Sequence, residues 1–198
     1  MDAKTVTTLF YQLKQRYQCC RFGGVFMSDL LPLNRRSTNI FYVVNTLSTH
    51  SSPSIMGHYI LIYVGKEDIV FFDSFGLSPA NYPTSILRFL QANIGNKRYV
   101  DLGTRIQHDL ALTCGAFVVY VAYFLCTGGI RKACAMLGRF SRDYKQNDRL
   151  VLSFLYRTFR GLPACKKTFC LCGFSLPACF TDCNTIEASG RVAAGKVT

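Results

Sequence analysis

Four residues in this chain carry side chains able to share one reaction: His58, Asp73, Gln107 and Cys114, in that order. A thiol attacks carbon as its thiolate, and a helix N-terminus stabilises that anion through its free N–H groups and the positive end of its dipole. Cys114 heads the apolar stretch "TCGAFVVYVAYFLCTGG", where such a helix should begin. Gly115 behind it would let a substrate carbonyl approach the backbone. The competing reading is a packing cysteine, since free Cys behaves as a small hydrophobe. A base decides between them.

The chain has three histidines. His50, in "STHSSP", and His108, after Gln107, fall in loop-like sequence, whereas His58 opens the strand-like "HYILIYV". If that segment pairs with "DIVFFDSF" through a turn at Lys66–Glu67, His58 lies opposite Phe75, with Asp73 one pair-step away at the same open end. A carboxylate there can fix the imidazole tautomer and stabilise the imidazolium. Asp73 closes the apolar run "IVFF", a costly place for an unpaired acid. Asp101 and Asp109 have no such pairing argument. Gln107 stands seven residues before Cys114, where its amide could join the Cys114 N–H in stabilising an oxyanion. The plainer reading of Gln107 is a polar loop residue.

The elements that must hold these residues follow from periodicity. Asp2 can cap a helix whose apolar positions are Val6, Leu9, Phe10, Leu13 and Tyr17. "CCRFGGVFMSDLLPLNRRSTN" reads as loop, broken by Gly23-Gly24 and Pro32. "NIFYVVNTL", "HYILIYV" and "DIVFFDSF" read as strands, the last two joined by a turn at "GKE". "YPTSILRFLQANIG" predicts a helix between Pro83 and Gly95, "KRYVDLG" a short strand and "TRIQHDLALT" a loop. The apolar helix after Cys114 should stop at Gly128-Gly129, and the segment from Arg131 to Arg160 should form one or two helices. With 198 residues, one domain over residues 1–160 is expected, followed by a Cys-rich, poorly ordered extension over 161–198.

The ordered set resembles the adenovirus protease (adenain) family. "VVNT" (Val43 to Thr46), "GHY" at the histidine, "FFDSFG" around the acid, then the glutamine and "TCGAF" follow that family's order, as do "FGGVFMSD" early and "LVLSFLYRTF" late. The resemblance implies an α+β fold, a central mixed β-sheet flanked by helices. It implies a cysteine endopeptidase with Cys114 as nucleophile, His58 as base, Asp73 as orienting acid and Gln107 as oxyanion donor. Capsid and core protein precursors would be the substrates, viral DNA the activator, and the virion and host cell nucleus the location. SUMO proteases share this residue order, so a peptidase for SUMO or ubiquitin-like modifiers is the alternative, and a catalytically inactive DNA-binding virion protein is another. Two departures matter. Tyr59 follows the histidine where adenain has Trp, which would leave Tyr59 as the aromatic contact on the imidazole. No cysteine lies between Cys20 and Cys114, so a disulfide-tethered peptide activator is not expected.

The charge balance of 23 Lys+Arg against 11 Asp+Glu, net +12, favours an anionic partner. Half of that excess lies between Arg131 and Arg160. Arg131, Lys132, Arg139, Arg142, Lys145 and Arg149 are the candidate contacts to double-stranded DNA, sequence-independent because they match no base-reading motif, with Arg35, Arg36, Lys97 and Arg98 as extensions. The ten cysteines without a secretion signal fit reduced thiols. In the tail their spacing lacks the paired C-x2-C of a zinc site, so no metal is expected. The apolar run Gly115 to Cys126 would give roughly 18 Å of helix, short of the ~30 Å of a bilayer core. A monomer without a membrane span is expected.

Overall fold

In the computed structural model, residues 1–18, 21–32, 38–52 and 57–159 are described. The elements run α1 (Ala3–Arg16), β1 (Arg21–Met27), β2 (Ile40–Asn45), β3 (Tyr59–Val64), β4 (Asp68–Phe72), α2 (Thr84–Ile94), β5 (Arg98–Asp101), α3 (Cys114–Leu137) and α4 (Tyr144–Thr158). The strands form one mixed sheet in the order β1-β2-β3-β4-β5. The central pairs β2–β3 and β3–β4 are antiparallel, and the edge pairs β1–β2 and β4–β5 are parallel.

Successive side chains of a strand face opposite ways, and both faces of this sheet are covered. Phe41, Val43, Leu61, Val70 and Phe72 join α1, α3 and α4 in one core. Tyr42, Val44, Ile60, Ile62, Ile69 and Phe71 pack on Ile86, Phe89 and Leu90 of α2. Burial on both sides explains why these strands read as continuous apolar runs. The fold is the expected α+β arrangement, a mixed sheet flanked by helices.

Local signals work where they are chemical. Asp2 caps α1 by accepting from the Thr5 N–H. Pro83 and Gly95, the latter at φ 45°, bracket α2. The turn after β3 closes when the Gly65 N–H donates to Asp68 O at 2.8 Å. α3 is interrupted at Gly128-Gly129, where Gly129 takes φ 66°. By length and composition Cys114–Leu137 could cross a membrane, yet that break divides it and every residue from Cys114 to Ala122 is buried in the core.

One expectation fails. Residues 21–27 were expected to be loop and are instead β1, parallel to β2 and bulged between Phe22 and Gly24. Glycines that read as breakers are what the pairing needs: Gly24 sits at φ 137°, and a Cβ on Gly23 would lie 2.8 Å from the Tyr42 ring. The Cys-rich extension lies outside the described residues, as do Cys19, Cys20, Arg35 and Arg36.

Candidate active site

The β3–β4 hairpin brings the first two candidates together. Its register pairs Leu61 with Phe72 and Val64 with Ile69, so His58, just before β3, and Asp73, just after β4, emerge at the same end. The "VVNT" segment holds the His58 backbone on both sides. Thr46 N–H donates to His58 O at 2.8 Å, and His58 N–H donates to Thr46 Oγ1 at 3.3 Å. Gly57 is small because a Cβ there would fall 2.1 Å from Asn45 Oδ1.

His58 Nε2 and Asp73 Oδ1 lie 2.5 Å apart. Asp73 is fully buried, and each of its oxygens has two donors. Oδ1 also accepts from the Phe75 N–H, while Oδ2 accepts from the Leu77 N–H and the Tyr82 hydroxyl. That saturation offsets the cost of burying a carboxylate. Phe75 stacks on the imidazole at 4.4 Å between ring centroids and Tyr82 at 6.4 Å. Tyr59, expected to supply this contact, instead belongs to the core beneath α3.

Cys114 is the first residue of α3 and is buried. Since Nε2 is taken by Asp73, Nδ1 remains for the thiol. Burial alone would push the imidazole pKa down. The hydrogen bond to Asp73, the hydrogen bond to Cys114 and both negative charges overcome it, raising His58 to about 9. The Cys114 thiol moves the other way. Burial opposes ionisation, but the His58 hydrogen bond and charge, the Tyr59 N–H and the terminal ammonium bring it below its ordinary value. Burial likewise works against the Asp73 carboxylate, and the His58 bond, the His58 charge and the two backbone N–H groups still hold it below the usual range. These shifts favour a thiolate beside an imidazolium.

Gln107, in the loop after β5, is buried and tied to the residue that follows Asp73. The Ser74 hydroxyl donates to Gln107 Oε1 at 2.6 Å, and Gln107 Nε2 donates to Ala111 O at 2.6 Å. The opposite amide orientation would set two acceptors against each other at Ala111, so the nitrogen must face the loop leading to Cys114. Ser74 O also accepts the N–H groups of Ile106 and Gln107, which zips the acid's loop to the glutamine's. The hairpin register sets Phe75 opposite His58 but gives its ring no role; Ser74 stands inside "FFDSFG" without a task of its own, and nothing in the sequence marks Tyr82. Gly115 has a packing task as well. A Cβ there would meet Val6 Cγ2 at 2.9 Å and Met1 Cβ at 3.0 Å, so this glycine admits α1 against α3.

His50 is exposed, and His108 Nδ1 accepts from the Leu110 N–H, away from the pair. Asp101 caps Gly103 and Asp109 pairs with Arg105. Arg131, Lys132, Arg139, Arg142, Lys145 and Arg149 are all exposed, along the end of α3, the connection and the start of α4. Arg98 is engaged with Asp68. Among the described residues no group of three His, Cys, Asp or Glu side chains is arranged to hold a metal.

No family model matches the sequence, and no curated protein sequence does. Among solved structures the chain is similar to a deletion variant of AvrA with IP6 and CoA, at 15% identity and a TM-score of 0.44, over 67% of this chain and 55% of that one. It is also similar to ChlaDub1 from Chlamydia trachomatis, at 20% identity and a TM-score of 0.41, over 55% of this chain and 51% of that one. The match thus spans about half the length of each solved chain.

Proposed function

We propose that this chain is a cysteine endopeptidase, a reading carried by the pair of His58 with the buried Asp73, beside Cys114 at a helix N-terminus. The Cys114 thiolate attacks the scissile carbonyl, and the oxyanion is met by the Cys114 N–H and the Gln107 amide. The His58 imidazolium gives its proton to the leaving amine, breaking the C–N bond and leaving a thioester on Cys114. Neutral His58 then takes a proton from water as it attacks that ester, and the returning proton releases the acid and the thiol. Asp73 holds Nε2–H and so keeps Nδ1 turned to the sulfur.

The sequence resemblance supports capsid and core precursors as substrates, in the virion and host nucleus, with duplex DNA as a non-specific activator on the six exposed basic residues. Labelling by a thiol-reactive peptide analogue, lost in Cys114→Ala alone, tests the enzyme reading. Cleavage of ubiquitin-like fusions with capsid precursors left intact would move the substrate class to modifiers. For DNA, each phosphate contact adds roughly 0.9 to the slope of log affinity against log salt. Changing four of the six basic residues to Gln should flatten that slope, and equal slopes would remove the patch from the account.

A further inference from the structure

The loop between β5 and α3 carries Gln107 and delivers Cys114, yet lies outside every helix and named strand. One turn of α4 grips it. Asn147 and Asp148 are 2% and 3% exposed. Asn147 Nδ2 donates to Ile106 O at 2.9 Å and to Ser141 O at 2.9 Å, and its Oδ1 accepts from the Ser141 N–H. Asp148 Oδ1 accepts from the Thr113 hydroxyl at 2.5 Å, and Oδ2 accepts from the His108 N–H at 3.3 Å. The contacts therefore fall on both neighbours of Gln107 and on the residue before Cys114.

We infer that Asp148 is a positioning residue of the oxyanion site, clamping the backbone beside Gln107 to the residue before Cys114 so that the two donors keep a set separation. This rests on the peptidase reading above. A carboxylate accepts at both oxygens, which matches the two donors it meets; an asparagine would turn an NH2 towards one of them. The chain retains the acid at an energetic cost. Burial raises the Asp148 carboxyl above its ordinary value, and the bonds from Thr113 and His108 offset this only in part. Asp148 touches neither the thiol nor the imidazole, so its effect passes through the loop.

Two reactions of Cys114 separate this role from a general structural one. Peptide hydrolysis passes through an oxyanion. Alkylation by iodoacetamide does not: the thiolate forms a C–S bond as iodide leaves. Asp148→Asn and Thr113→Val should each lower kcat on the order of 10- to 100-fold, the scale of a misplacement near 1 Å. KM and the alkylation rate should stay close to wild type. Thr113→Ser, which restores the hydroxyl, should restore kcat. Unchanged turnover in Asp148→Asn overturns the inference, and so does an equal fall in turnover and alkylation, which would mean that Cys114 itself had moved. A wild type that alkylates but hydrolyses no peptide overturns the peptidase reading, and this inference with it.

Discussion

Replacing Asp73 by Asn keeps the shape of the side chain and changes its donors. The carboxylate receives four donors, two on each oxygen. If the new NH2 faces His58, it opposes the Phe75 N–H and forces Nε2 to accept, moving the ring proton to Nδ1 where it meets the thiol. If the amide flips, its oxygen serves His58 but the NH2 opposes the Leu77 N–H. Either arrangement sets the new NH2, on a fully buried side chain, against a backbone N–H, at about 1–3 kcal/mol. The first also presents the wrong tautomer to Cys114. In the Ser-His-Asp triad the same change costs about 10⁴ in kcat with the geometry intact. Here a fall in kcat/KM between about 10² and 10⁴ is expected, with residual activity above that of Cys114→Ala.

The pH profile makes this sharper. His58 stands at about 9 against an ordinary 6.5, a preference for imidazolium of roughly 3 kcal/mol at 1.36 kcal/mol per unit, shared between Asp73 and Cys114. Wild-type activity should fade as pH rises through about 9, when the imidazolium is lost. Without the Asp73 bond and charge, burial is opposed by Cys114 alone, so that alkaline limb must move down. Stability follows the same sign. A pKa raised on folding contributes stability that is complete below 6.5 and lost as pH climbs through about 9. The wild type's advantage in Tm over Asp73→Asn should therefore narrow across that window. The assay is kcat/KM on a fluorogenic peptide from pH 5 to 10, with thermal melts at the same points. An Asp73→Asn enzyme with its alkaline limb still near 9, or with activity within threefold of wild type, refutes the reasoning.

Ser74→Ala removes the donor that orients the Gln107 amide; kcat should fall roughly tenfold while iodoacetamide alkylation is unchanged, and Gln107→Ala should lose on the order of 10²–10³. Tyr82→Phe takes one of four bonds from Asp73. It should cost about 1–3 kcal/mol of stability in a denaturant melt, with a smaller loss of activity than Asp73→Asn. Gly57→Ala forces a Cβ into Asn45 and should destabilise by roughly 1–3 kcal/mol; a variant as stable as wild type would show that the Asn45 side chain can move aside at no cost.

What could be read from the sequence is what short-range geometry dictates. A tight turn between two apolar strands sets one register, and that register brings His58 and Asp73 to the same end whatever packs around them. A helix start ahead of an apolar run likewise put Cys114 where N–H groups are free. The same register puts Phe75 opposite His58, which is where its ring lies. Choosing Tyr59 for that contact overlooked strand alternation, which turns Tyr59 into the core under α3. Strand β1 was missed because Gly23 and Gly24 have no strand propensity of their own. The value of Gly23 appears only when the Tyr42 ring lies against it, and that of Gly24 only when the bulge demands a φ of 137°.

Asp148 is the limiting case. In the sequence it is one of two acids in a basic amphipathic segment, 34 residues beyond Cys114, and no spacing rule joins a helix residue to a loop that distant. Its task exists only once α4 has folded back across that loop. The groups proposed to react come from local elements, whereas the Thr113–Asp148 and His108–Asp148 bonds proposed to hold them at their working separations join residues 35 and 40 apart in the chain. Substitutions at Thr113 or Asp148 should accordingly change kcat while the thiolate of Cys114 stays intact, and substitutions in the hairpin should change both.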